Sequence, residues 1–132
     1  MSNYDIWKDI NDAVRAAIYD NLHLLDEDDL VERSDALLAA LPVVGKEQPT
    51  TMTLLRRYQG RLQQELCVGD KPRVAHFTMV QDEIVEITRA VMVTIEGTEG
   101  ISIESAVHLA LVIRARGLAS FCASPSPSGA RL

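Results

Sequence analysis

Residues 91–104 read VMVTIEGTEGISIE, and the fold turns on how they are read. Taken alone, the segment alternates apolar and polar residues about Gly97 and Gly100, as a β-hairpin does. Taken with the residues before it, the segment is the end of a helix. Phe77, Val80, Ile84, Ile87, Val91 and Ile95 recur in steps of three and four, the period of a helix with one buried face. That period is unbroken through Ile95, and Ser102 is a residue type that caps the helix after it. The sequence therefore predicts helix, loop and helix here, with a short β-hairpin near 91–103 as the alternative. Pro72 marks the start of the first of these helices, where a missing amide hydrogen does no harm. From there to Ile95 it would be roughly 35 Å long.

The helix that follows spans SIESAVHLALVIRARGL, residues 102–118, and is apolar in nearly every direction around its axis. A helix of that kind belongs in the middle of a bundle. Gly117 is its expected terminator. Upstream, a first helix over residues 3–25 places Ile6, Trp7, Ile10, Ala13, Val14, Ala17, Leu24 and Leu25 on one side. Asp5, Asp9, Asp12 and Asp20 share an arc of roughly 80° on the other side, with His23 nearby. Asp26-Glu27-Asp28-Asp29 opens a second helix, since carboxylates favour the positive end of the helix dipole. Its apolar side is Leu30, Val31, Ser34, Leu37, Leu38 and Leu41, and Pro42 ends it.

Residues 42–53 have loop composition and end in threonines suited to capping. A third helix then carries Leu55, Tyr58, Leu62 and Leu66 inward and Arg56, Arg57, Arg61, Gln63 and Gln64 outward, with Gly69 as its stop. The expected fold is an all-α, single-domain bundle of four to five helices over residues 1–121. Residues 122–132, which end in SPSPSGARL, form a flexible Ser/Pro-rich tail.

The bulk numbers fit that picture. The chain has 132 residues, 47% hydrophobic and 24% charged, which is ordinary for one globular domain. No apolar run is long enough to cross a bilayer, and the N-terminus lacks a basic and apolar leader. A cytoplasmic location is expected, with no membrane contact. Cys67 and Cys122 are expected to be free, reduced thiols. The net charge of −6 is unevenly spread. Residues 1–41 hold ten acids against three bases, and 46–73 hold six bases against three acids. Neighbouring helices of opposite sign lying against one another would account for this.

Chemical templates fail one after another. Gly45-Lys46 lacks the rest of a phosphate-binding loop, and no dinucleotide-binding glycine pattern exists. His23, His76 and His108 each stand alone, and the cysteines are far apart in sequence, so no cofactor and no metal are expected. His108 is the one ionisable group inside the AVHLALVI run. It is a candidate for a dispersed catalytic site, against the plainer reading that Glu104, Ser105, His108 and Arg116 form a narrow solvent-facing or hydrogen-bonded strip. Cys67 at a helix C-terminus sits at the wrong pole for a thiolate. The basic residues Arg56, Arg57, Arg61 and Arg73 are the candidates for nucleic acid, a partner class that the negative net charge disfavours.

The leading expectation is a non-enzymatic interaction domain of the inhibitor, antitoxin, immunity or adaptor kind, with Asp5, Asp9, Asp12 and Asp20 facing a protein partner. A homodimer is admitted through Val74, Val85 and Met92, which lie beyond the main apolar stripe of the fourth helix. The alternatives are a nucleic-acid-binding regulator using the third helix and a small enzyme around His108.

Overall fold

The computed structural model describes residues 6–41, 49–73, 79–96 and 99–125. The chain is all-α, with a two-stranded antiparallel ribbon as its only sheet among the described residues. The helices are α1 (Ile6–Tyr19), α2 (Glu27–Ala39), α3 (Thr51–Arg57), α4 (Gln59–Leu66), α5 (Val80–Val91), α6 (Ile103–Arg116) and α7 (Leu118–Ala123). A 3₁₀ turn, Leu22–Leu24, follows α1. Strands β1 (Cys67–Val68) and β2 (Lys71–Pro72) lie between α4 and α5.

Helix α6 is the axis of the bundle, packed against α2, α5 and α1. Its nine consecutive residues from Ser105 to Ile113 are all buried, as the all-round apolar sequence requires. Ser102 caps it, the hydroxyl accepting from the amide of Ser105 at 3.1 Å. It ends at Gly117, whose φ of 95° is a conformation that side-chain-bearing residues avoid. Helix α2 begins as expected, with Asp26 Oδ1 accepting from the Asp29 amide at 2.9 Å. Buried Ser34 and Thr51, joined hydroxyl to hydroxyl at 2.6 Å, dock α2 onto the start of α3.

The deciding segment is helical through Glu96 and again from Ile103, while Gly97 lies outside the described residues. Ile84, Ile87, Val91 and Ile95 are buried, and the helix continues past Val91 as a π-helical stretch, Met92–Glu96. The short hairpin lies instead at residues 67–72, with Cys67 opposite Pro72 and Val68 opposite Lys71. Gly69, expected to stop a helix, starts its two-residue turn with a φ of 63°. Pro72 accordingly sits in a strand rather than at the head of α5, which begins at Val80. Phe77, Val74, Asp5 and Pro42 lie outside the described residues.

Other expectations are corrected as well. The first helix stops at Tyr19 rather than near residue 25, because Asn21 takes a left-handed conformation (φ 60°) and resets the helical phase. Leu22 thereby turns inward and Leu24 is left 72% exposed. The third helix is split at Tyr58 (φ −105°, ψ 10°), although Leu55, Tyr58, Leu62 and Leu66 all reach the core as their spacing predicts. Lastly, Cys67 and Cys122 are not free thiols but a disulfide, with Cα atoms 5.7 Å apart. Helix α7 is therefore part of the folded body through Ala123, beyond the expected boundary at 121. It covers Gln63, which was expected to point outward. The Gln63 amide is buried and donates to the carbonyl oxygens of Phe121 (2.9 Å) and Ser124 (2.7 Å).

Candidate functional site

The acidic residues of the first helix divide into two places. Asp9 and Asp12 stand on α1, and Asp12 accepts from Lys8 at 3.1 Å across one helical turn. Asp20 lies just past the end of α1, where its amide still bonds the Ala16 carbonyl, and its side chain lines a separate cleft near His108. None of the three meets Arg57 or Arg61, the internal partners that would have neutralised them. Arg57 is instead committed to Glu99, which accepts from its guanidinium at 2.8 Å and from the Tyr58 hydroxyl. That hydrogen bond to Glu99 raises the Arg57 pKa above its ordinary value.

The other basic candidates are dispersed. Arg56 lines a cleft between α3, α6 and α7 together with Arg116 and Glu27. Arg61 is exposed on α4, and Arg73 donates to the Gln64 carbonyl oxygen after the ribbon. The break at Tyr58 separates Arg56 and Arg57 from Arg61 onto two helices.

Opposite charges do meet across helices, but on α5 and α6 rather than on α1. Arg114 donates to Glu83 at 2.8 Å, Arg116 to Glu27, and Arg89 to Glu86 and Glu65 at 3.3 and 3.4 Å. The side chains in these pairs are 24–37% exposed, so each pair contributes little on its own.

One surface was not anticipated. The start of α1, the π-helical stretch and residues 101–103 enclose an apolar groove of about 680 Å³. Its walls include Ile6, Trp7, Met92, Val93, Ile101 and Ile103, with Arg89 also in the lining. Trp7 was assigned to the core face, yet it is 45% exposed because it sits at the flank of the Ile10–Val14–Ala17 stripe. Val93 is 58% exposed while its neighbours Thr94 and Ile95 are buried. A π-helical turn changes the angle between successive side chains, so the periodic reading that placed Ile95 correctly gave no notice of Val93. The two described residues expected to make a dimer surface, Val85 and Met92, are partly buried against the core.

His108 is buried, at 5% exposure, on α6. Its Nδ1 lies 2.9 Å from the Glu104 carbonyl oxygen. A carbonyl only accepts, so Nδ1 carries a hydrogen and donates it. The expected strip of Glu104, Ser105, His108 and Arg116 is thus hydrogen-bonded at its centre, while Arg116 leaves it for Glu27. Among the described residues, no group of three or more His, Cys, Asp or Glu side chains has the arrangement that holds a metal ion. Among the described residues, no helix is long and apolar enough to cross a membrane. No protein-family model matches the chain, and no significant match was found among curated proteins or solved structures.

Proposed function

We propose that the protein is a small acidic interaction domain, of the inhibitor, antitoxin, immunity or adaptor kind, that acts by covering a partner's surface rather than by catalysis. The observation that carries this reading is the open apolar groove, with the half-exposed Trp7 on one wall and Val93 on the other. A soluble monomer gains nothing from leaving a tryptophan beside a concave apolar surface, whereas a bound apolar side chain from a partner buries both. Asp9 and Asp12 continue along α1 from Trp7, and the chain carries a charge of −6. The partner that fits is a protein segment with apolar anchors and basic flanks, drawn in by the acids and held by the groove.

Trp7 is the only tryptophan in the chain, so its fluorescence reports groove occupancy directly. The test captures partners with the wild-type protein, with Trp7→Ala plus Val93→Asp, and with Asp9→Lys plus Asp12→Lys. An identified partner is then purified and titrated against the tryptophan emission. The reading requires a partner lost in the groove variant, weakened in the charge-reversed one, and able to shift the emission. Capture that ignores the groove substitutions would refute it.

The cytoplasmic location expected from the sequence and the Cys67–Cys122 bond make opposite demands, since isolated thiols in a reducing cytosol stay reduced. The bond favours folding in an oxidising compartment, and a count of free thiols on freshly made protein decides between the two.

A further inference from the structure

The apolar groove is held in part from outside itself. Ile101, Ser102 and Ile103 supply one side of its lining, and the chain reaches them through Glu99 and Gly100. Gly100 has a φ of 70°, which turns the chain between its two neighbours. Ile101 enters the core at 4% exposure, and the Glu99 side chain goes to the junction of α3 and α4. Downstream, the Ser102 cap joins the same residues to α6, with the Ser102 carbonyl oxygen accepting from the Ala106 amide at 2.9 Å.

Glu99 is the upstream anchor. It accepts from the Arg57 guanidinium at 2.8 Å and from the Tyr58 hydroxyl at 2.5 Å. Both bonds end on a carboxylate, and a charged acceptor makes such bonds shorter and stronger than those between neutral groups. That carboxylate is also sheltered, since the Glu99 side chain is 20% exposed and Tyr58 is buried. Salt therefore screens it less than it screens the exposed Lys8–Asp12 pair on α1. A connection anchored at both ends keeps its side chains in one place. Released at one end, it lets Ile101 and Ile103 shift against Trp7 and Val93.

We infer that Glu99 is a positioning residue for the apolar groove. Gripped by Arg57 and Tyr58, it sets where Ile101 and Ile103 stand against Trp7 and Val93, so α3 and α4 govern the shape of a surface to which they contribute no residue. The inference rests on the groove being the binding surface, but its test needs no partner, so the two fail separately.

The test uses the full chain in two forms that break the same bonds from opposite sides. Arg57→Met with Tyr58→Phe removes both donors and leaves Glu99 in place, while Glu99→Ala removes the acceptor. The first form is mild, since Arg57 is half exposed and Tyr58 loses only its hydroxyl. In both, quenching of Trp7 fluorescence by acrylamide should rise, and the methyl resonances of Val93 and Ile103 should shift. The methyls of Ile87, Leu109 and Ile113, buried in the bundle, should stay at their wild-type positions. A role in bundle stability alone would lower the melting temperature without moving Trp7 or the groove methyls, and that result overturns the inference. Displacement in one form only overturns it too, as does displacement of the core methyls as large as that of the groove. Groove displacement in both forms, together with partner capture that ignores Trp7 and Val93, would uphold the positioning role and remove the proposed binding surface instead.

Discussion

Reducing the Cys67–Cys122 bond is the most informative single perturbation of this fold. The bond ties the ribbon after α4 to α7 across a sequence separation of 55 residues. For a loop of that length the chain-entropy relation gives about 14 cal/mol/K lost from the unfolded ensemble, or ~4 kcal/mol of stability at 25 °C. Unfolding entropy of about 2.1 cal/mol/K per residue, over 132 residues, gives ~0.28 kcal/mol/K. The melting temperature should then fall by about 15 °C on reduction. The assay is thermal unfolding by circular dichroism with and without a phosphine reductant, alongside thiol labelling to show that the bond has opened. Reduction retains both sulfur atoms in place, so no large cavity confounds the result, as it would in an alanine variant. The Gln63 bonds to Phe121 and Ser124 remain available to the reduced chain, so α7 can stay docked while global stability falls. A fall of less than about 3 °C with both thiols labelled would refute the reasoning, because the cross-link would then contribute little to restricting the unfolded chain.

Further outcomes are expected. Reversing Asp9 and Asp12 to lysine should change stability by under about 0.5 kcal/mol in urea titrations, since only the exposed Lys8–Asp12 pair is lost; a larger loss would mean that the acids pair within the fold. Ile95→Ala should cost about 2–5 kcal/mol, and Val93→Ala no more than about 0.5 kcal/mol, because one side chain is buried and the other open to the groove. Equal costs from chemical denaturation would deny the π-helical phase. Glu99 raises the Arg57 pKa above its ordinary value, so its contribution is complete below the unfolded value and is lost only as pH rises through the higher folded one. A stability profile between about pH 6 and 10 should therefore show no step removed by Arg57→Gln.

Much of the helical body was legible because it depends on local rules. The apolar run of α6, its Ser102 cap and Gly117 stop, and the Asp26 cap of α2 are consequences of side-chain type at successive positions. Each is where the sequence puts it. The period carried α5 correctly through Ile95. What failed was phase after an interruption. Asn21 and Tyr58 are ordinary residues in the sequence, yet their backbone conformations end α1 early and split the third helix. They also rearrange the candidate sites, sending Asp20 to the His108 cleft and separating Arg57 from Arg61.

The sequence by itself determined that the chain is a single acidic helical body, because 3.6-residue periodicity and capping are encoded within a few residues of one another. Only the tertiary structure decided that Cys67 meets Cys122, that Gln63 is covered by α7, and that Trp7 borders a groove with Val93. It also decided that Arg57 pairs with Glu99 instead of the acids of α1. Each of these joins residues tens of positions apart. Their meeting depends on how whole helices pack around α6, and one-dimensional spacing carries no record of that packing.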